Sequence, residues 1–216
     1  MTVTHLSHQT DHAMPTKRKP LFWVGLICLL IIVNILALLY WRNRPPDEGS
    51  AAVLFARDMA AHHEQAVEMA LLVRERSTDT ELRQLALDIL LSQQAQIGQM
   101  QGWLAVWGLP LAGAQPPMAG QAAMMGMATQ QEVNALQILP LAEAEVSFLQ
   151  LMIRHHQGGV AMAEVALRQT GRAEVVRLAT AIVQAQQSEI TYMQRLLTQR
   201  GGEPLPPLSP MISMDH

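Results

Sequence analysis

The stretch MAAHHEQAVEM at residues 59–69 returns 93 positions later as MIRHHQGGVAM at residues 152–162. The same offset continues without a gap into the segments that follow, so that Gln93 corresponds to Gln186 and Met100 to Met193. An internal repeat of about fifty residues indicates two copies of one supersecondary unit, over about 54–104 and 147–197.

Each copy predicts an antiparallel pair of helices. Leu, Ala, Met and Gln dominate after residue 50, which favours helices over strands. We expect long helices over about 50–76, 78–108, 141–169 and 172–200, the second of them opened by a capping box at Thr78 and Glu81. The connection 107–140 should end in a short helix capped by Thr129 and Glu132. Two hairpins and a long crossover predict an all-α, ferritin-like four-helix bundle over residues 51–200.

The N-terminal part predicts a membrane anchor. Residues 21–41 form an uncharged run, long enough to span a hydrocarbon core of about 30 Å. A cleaved signal peptide is the alternative, but its apolar region would be shorter, roughly 7–15 residues, and would end in small residues. We therefore expect an uncleaved transmembrane helix that precedes the bundle.

The charges around this run suggest its orientation. Three basic residues at 17–19 precede it, and Arg42 and Arg44 follow it, a slight bias that places residues 1–20 in the cytoplasm. The expected protein is single-pass in a bacterial cytoplasmic membrane. A linker at 42–50 then leads to a bundle on the periplasmic or extracellular side, and a flexible tail follows at 201–216.

The remaining composition narrows the function. The single Cys28 excludes an internal disulfide and a Cys-based zinc site. The net charge of -3, without a basic patch, gives no indication of nucleic-acid binding. Because no nucleophile motif or phosphate loop is present, we favour a binding protein over an enzyme.

The repeated motif predicts a metal site inside the bundle. At 100° per residue, Met59, His62, His63 and Met69 fall within roughly 120° of one helix face, the width of a buried stripe. Imidazole and thioether are ligands that copper accepts, and thioether favours Cu(I). The predicted ligands are His62, His63, His155, His156, Met59, Met69, Met152, Met162, Met100 and Met193.

Other interpretations of this face remain open. The His could be structural, hydrogen-bonded to Gln93, Gln94, Gln186 or Gln187, in a scaffold or sensor bundle that binds no metal. A copper or iron oxidoreductase is a further alternative. Zinc and iron are less expected, because Met adds nothing for zinc and a di-iron site needs Glu-x-x-His motifs that the His pairs lack.

A second group of Met lies in the crossover. Met118, Met124, Met125 and Met127 have a spacing similar to that of Met-rich segments that hold Cu(I). They form a candidate secondary metal site. A linker that contains Met by chance explains the same residues equally well.

These motifs resemble the family called domain of unknown function 305. The resemblance rests on F-x3-M-x2-HH-x2-A-x2-MA from Phe55 to Ala70, and on the same pattern from Phe148 to Ala163 with Gly159 in place of the central Ala. It implies a ferritin-like bundle, often exported or membrane-anchored in bacteria, and some relatives are linked to copper binding and tolerance. We therefore expect copper sequestration or transfer outside the cytoplasmic membrane, with the metal and the bilayer as partners and with homo-oligomerisation left open.

Two departures from the family pattern cover three positions. Ala60 and Ala61 stand where relatives often carry Ile-Pro, and Gln96 stands where Glu is common. Neither departure removes a predicted ligand.

Overall fold

Six helices make up the regular structure of the residues that the structure describes. The computed structural model describes residues 19–206 and 208, with the backbone alone at 19–21 and 41–43. The helices are α1 (Lys19–Asn43), α2 (Ala51–Arg76), α3 (Thr80–Val106), α4 (Gln130–Ile138), α5 (Leu141–Gln169) and α6 (Ala173–Gln199). The described residues contain no strand, and the predicted all-α fold is confirmed. Most of the predicted N-terminal tail, and residues 207 and 209–216 of the predicted C-terminal tail, lie outside the described residues.

Helix α1 belongs to a unit of its own. Its segment Phe22–Tyr40 is 19 residues long with a mean hydropathy of 2.9, and none of it is buried against protein. The side-chain amide of Asn34 donates to the carbonyl oxygen of Leu30 at 2.8 Å. The one strongly polar side chain in this segment is thus satisfied within the helix, as a lipid environment requires. The helix is long and apolar enough to cross a membrane.

Residues 45–206 fold into the bundle. Helix α2 pairs with α3, and α5 pairs with α6, through three-residue connections at 77–79 and 170–172 that correspond under the 93-residue offset. Helices α2 and α5 contact each other, and the short α4 lies against both. The two repeats therefore meet along their first helices, which carry the His pairs.

The start of α3 corrects one detail of the sequence analysis. The predicted capping residue Thr78 is wrong by one position: Asp79 is the N-cap, and its side chain accepts from the backbone N–H of Leu82. Ser77 is the C-cap of α2, so the connection is one residue longer than the sequence suggests. The capping box of the short helix is confirmed, with Thr129 and Glu132 bonded reciprocally.

The apolar core is divided into two clusters. We call them the Leu82 cluster, which contains Leu82, Ile89 and Phe148, and the Trp107 cluster, which contains Phe55, Trp107 and Ile182. The 93-residue offset exchanges Ile89 with Ile182 and Phe55 with Phe148, and so relates one cluster to the other. On both α2 and α5, the His pair lies between the residues that belong to the two clusters.

The crossover contacts both repeats, but in different ways. A Cβ added at Gly158 of α5 would lie 1.7 Å from the carbonyl oxygen of Met125, and one at Gly126 would lie 2.2 Å from that of Arg154. Both positions therefore require glycine. On α2, the side-chain amide of Gln65 donates to the carbonyl oxygen of Ala128 and accepts from its N–H, at 2.8 and 2.7 Å. Residues 125–128 are thus held against both central helices.

Candidate metal centre

Four His side chains form a buried polar centre between α2 and α5. His62, His63, His155 and His156 are each 0% exposed. The rings of the equivalent residues His62 and His155 stack, with centroids 3.7 Å apart and planes at 29°. Within each pair, the ring centroids are 6.2 and 6.3 Å apart. The two repeats therefore place their His pairs alike, around an approximate two-fold axis that passes between His62 and His155.

In each ring Nε2 forms a hydrogen bond, and Nδ1 forms none to any residue that the structure describes. The Nε2–H of His62 donates to the carbonyl oxygen of Met125, and that of His155 donates to the carbonyl oxygen of His62, both at 2.9 Å. Since a carbonyl oxygen can only accept, these rings carry their proton on Nε2.

The second His of each pair has the same arrangement. The Nε2–H of His63 donates to the side-chain oxygen of Gln96 at 2.6 Å, and that of His156 donates to the carboxylate of Glu189 at 2.7 Å. All four Nδ1 atoms are buried and have no hydrogen-bond partner among the described residues. Four lone pairs are therefore left unsatisfied inside the bundle.

These contacts differ from the structural alternative set out above. None of Gln93, Gln94, Gln186 or Gln187 is a partner of the His; residues 96 and 189, three positions further along, are. Gln93 and Gln186 are instead buried with neither amide atom bonded within the described part of the chain. The internal repeat could have identified these partners as an equivalent pair, because Gln96 and Glu189 correspond under the same 93-residue offset.

Burial keeps the imidazoles of His62, His63 and His155 neutral. It lowers the pKa of His62 to about 4, and the bond to the Met125 carbonyl only partly opposes it. Burial, together with the charge of His62, lowers the pKa of His63 to about 3. The pKa of His155 also falls well below its ordinary value, mainly through burial. Neutral imidazole is the form that binds metal ions.

The six predicted Met ligands are buried and divide between the two clusters. Met69, Met152 and Met193 lie in the Leu82 cluster, and Met59, Met100 and Met162 lie in the Trp107 cluster. Met59 and Met152 each precede a His by three residues, one helical turn away on the same face. Thioethers therefore flank the His centre on both sides.

The secondary Met group is not a single exposed cluster. Met118 is 7% exposed and belongs to the Trp107 cluster, and its backbone N–H donates to Asp58. Met124, Met125 and Met127 are partly buried, and the last two pack against the same cluster. Core packing therefore accounts for Met118.

A cleft opens beside this centre. It has a volume of about 200 Å³, and its lining includes Met125, Met162, Phe55 and Asp58. Burial raises the pKa of the Asp58 carboxyl, although the bond from Met118 opposes that effect. Two thioethers thus line a solvent-accessible surface, and one of them belongs to Met125, whose carbonyl oxygen accepts from His62.

The ligand set fits a soft ion better than a hard one. No three His, Cys, Asp or Glu side chains of the described residues gather closely enough to hold a metal ion between them. A zinc site of three or four such ligands is therefore not assembled in this arrangement. Unbonded imidazole nitrogens with nearby thioethers suit Cu(I). Metal-binding His commonly donate their other N–H to a carbonyl or carboxylate, as all the bonded Nε2 atoms here donate to oxygen.

Fold and site together define a helical bundle with a duplicated, buried His and Met centre. The sequence profile described as "Domain of unknown function (DUF305)" matches residues 52–197. The chain belongs to this family. No curated protein sequence matches it.

Solved structures show the same fold. A family member from Streptomyces coelicolor, provisionally labelled as secreted, is 45% identical, with a TM-score of 0.70 over 74% of this chain and 99% of its own. A family fragment from Deinococcus radiodurans is 44% identical, with a TM-score of 0.65 over 71% and 99%. CopM in its Cu(I)-bound form is 28% identical, with a TM-score of 0.57 over 68% and 96%. CopM has also been solved in a Cu(II)-bound form.

Proposed function

We propose that this protein is a membrane-anchored, extracytoplasmic copper-binding protein that sequesters copper or hands it on. One observation carries the proposal: four buried imidazoles direct Nε2–H to oxygen acceptors and leave every Nδ1 unbonded within the described structure. An unsatisfied buried polar atom costs about 1–3 kcal/mol, so four together call for a partner that binds lone pairs. A Cu(I) ion is such a partner, and the similarity to copper-bound CopM supports the choice of metal.

The proposed ligands are the Nδ1 atoms of His62, His63, His155 and His156, with thioethers from the flanking Met. Copper supplies a Lewis acid that accepts their lone pairs. The chain supplies imidazole rings that are fixed in orientation by their Nε2 bonds and shielded from water by the two apolar clusters. We propose binding rather than catalysis, because a largely buried ligand set between two apolar clusters suits storage or transfer of the ion.

The test is elemental analysis of the full-length protein after Cu(I) loading under reducing conditions and dialysis. His62→Ala combined with His155→Ala should weaken retention by at least about tenfold, since even partners outside the ligand shell contribute 10- to 100-fold. Gln157→Ala, on the exposed side of α5 next to the second pair, is the matched control and should keep its copper. If the double variant stays helical by circular dichroism and keeps a full copper load, the interior site is wrong.

We further propose that α1 remains on the mature protein and anchors it, with its N-terminus in the cytoplasm. The 19-residue apolar segment and the secreted label of the Streptomyces coelicolor relative support an extracytoplasmic bundle. Carbonate washing of membranes followed by N-terminal sequencing tests the anchor. A soluble product that starts near residue 45 would show that the segment is a cleaved signal instead.

A further inference from the structure

The two halves of the centre differ by one charge. His63 donates to Gln96 at 2.6 Å, and His156 donates to Glu189 at 2.7 Å. In both halves the partner lies 33 positions after the His, on the second helix of its hairpin. The geometry is therefore the same, while the acceptor is a neutral amide in one half and a carboxylate in the other.

Each of these His is associated with thioethers from a different cluster. Met59 and Met100 lie one turn from His63 and Gln96 respectively, and both belong to the Trp107 cluster. Met152 and Met193 stand in the same relation to His156 and Glu189 and belong to the Leu82 cluster. The Met ligands of the two halves are thus on opposite sides of the stacked pair of His.

We propose, resting on the copper-binding function above, that the protein holds two inequivalent Cu(I) sites: a tighter one at His156 and a weaker, exchangeable one at His63. A carboxylate that accepts the Nε2–H makes the imidazole a more basic ligand and offsets the charge of the ion, whereas an amide does so less. During loading, Cu(I) occupies the His156 site before the His63 site. During removal, it dissociates from the His63 site first. Glu189 and Gln96 are positioning residues that set this order without binding the metal.

The charge of Glu189 can be separated from its role as a hydrogen-bond acceptor. Glu189→Gln keeps an acceptor of the same length and removes the charge, and Gln96→Glu does the reverse at the equivalent position. The Glu189 side chain is 24% exposed, so the exchange leaves the apolar core intact. Glu164→Gln, on the exposed face of α5, removes one charge elsewhere and serves as the control.

The experiment titrates Cu(I) into the full-length protein in detergent, without oxygen, against a coloured Cu(I) chelator. Imidazole ¹⁵N signals report which His binds first. We expect two binding steps that differ by about 10- to 100-fold in the wild-type protein. Glu189→Gln should weaken the tighter step until the two merge, Gln96→Glu should strengthen the weaker step, and Glu164→Gln should change neither.

The double exchange gives the sharpest result. Gln96→Glu with Glu189→Gln should restore two steps with the order reversed, so that the His63 signals shift before those of His156. A purely structural role for Glu189 predicts no such reversal. Two sites of equal Cu(I) affinity in the wild-type protein, or binding steps that are unchanged in the exchanged variant, would overturn this inference while leaving copper binding intact. A wild-type protein that binds no Cu(I) would instead refute the proposed function itself.

Discussion

The two hairpins carry the same buried His and Met residues in different surroundings. The His pairs and the six Met of the centre match between α2–α3 and α5–α6, but position 65 is Gln where its equivalent, 158, is Gly. That difference coincides with the crossover, which forms two hydrogen bonds to Gln65 and packs its backbone directly on Gly158. A segment without a copy of its own can contact two equivalent surfaces only in different ways.

The asymmetry between the two repeats extends to the His residues beside their approximate two-fold axis. His62 and His155 are equivalent and stack, yet His62 donates to the crossover at Met125 while His155 donates to the backbone of His62. The crossover thus replaces the bond that strict symmetry would form. An interior that is chemically duplicated is therefore made inequivalent by what packs against it.

Acid should destabilise both repeats together, and this is the largest effect on stability that we expect. Because His62, His63 and His155 have a lower pKa when folded than the value of about 6.5 when unfolded, protonation favours unfolding. The stability that these neutral imidazoles contribute is complete above a pH of about 6.5 and is lost as the pH falls towards their pKa values in the folded protein. Each group can lower the free energy of unfolding by at most about 1.4 kcal/mol per pH unit.

Urea unfolding of the metal-free protein between pH 7.5 and 5.5 measures this loss. Ordinary carboxyl groups, with a pKa near 4, change little in that range. Asp58, whose pKa is raised in the folded protein, changes in the opposite direction and offsets a part. A free energy of unfolding that stays constant over the range would contradict the burial of neutral imidazoles.

The second largest effect on stability is expected from a substitution that gives α5 the residue found at the equivalent position of α2. Gly158→Gln places side-chain atoms where the Met125 carbonyl oxygen lies, and the crossover must move away from α5. Overpacking of this kind typically costs 1–3 kcal/mol, and we expect about 3 kcal/mol because the obstructing atom belongs to the backbone. Gly98→Ala, an exposed helical site with no heavy atom within 4 Å of an added Cβ, should instead gain up to about 1 kcal/mol. Equal melting temperatures for the two variants would mean that the crossover does not pack on Gly158.

The smallest effect concerns the starts of α3 and α6. Asp79 caps α3 through its side chain, whereas the equivalent Arg172 forms no side-chain cap on α6. Asp79→Ala should cost about 1 kcal/mol. Asp79→Asn should cost less, because Asn keeps the cap and loses only the partly exposed ion pair with Arg200. Thermal unfolding of both variants decides the point, and equal losses would show that the ion pair matters more than the cap.

The sequence by itself determined the helices, the duplication and the residues that face inward. A helix places residues three and four apart on one side whatever it packs against, so the burial of His62, His63 and Met59 followed from spacing alone. The apolar segment of α1 and the cap at Thr129 were local signals of the same kind. The cap at Asp79 was missed because Ser77, Thr78 and Asp79 are all good capping residues, and only the path of the connection selects one of them.

Only the tertiary structure decided what the buried residues contact. Gln96 and Glu189 lie on partner helices, and the relative rotation of two packed helices is not written in the spacing of either one. The same holds for the stacking of His62 on His155 and for the placement of Met125 and Gly126 against α5. These contacts depend on the closest approach of segments that are distant in sequence, which side-chain volume and backbone hydrogen bonding settle together.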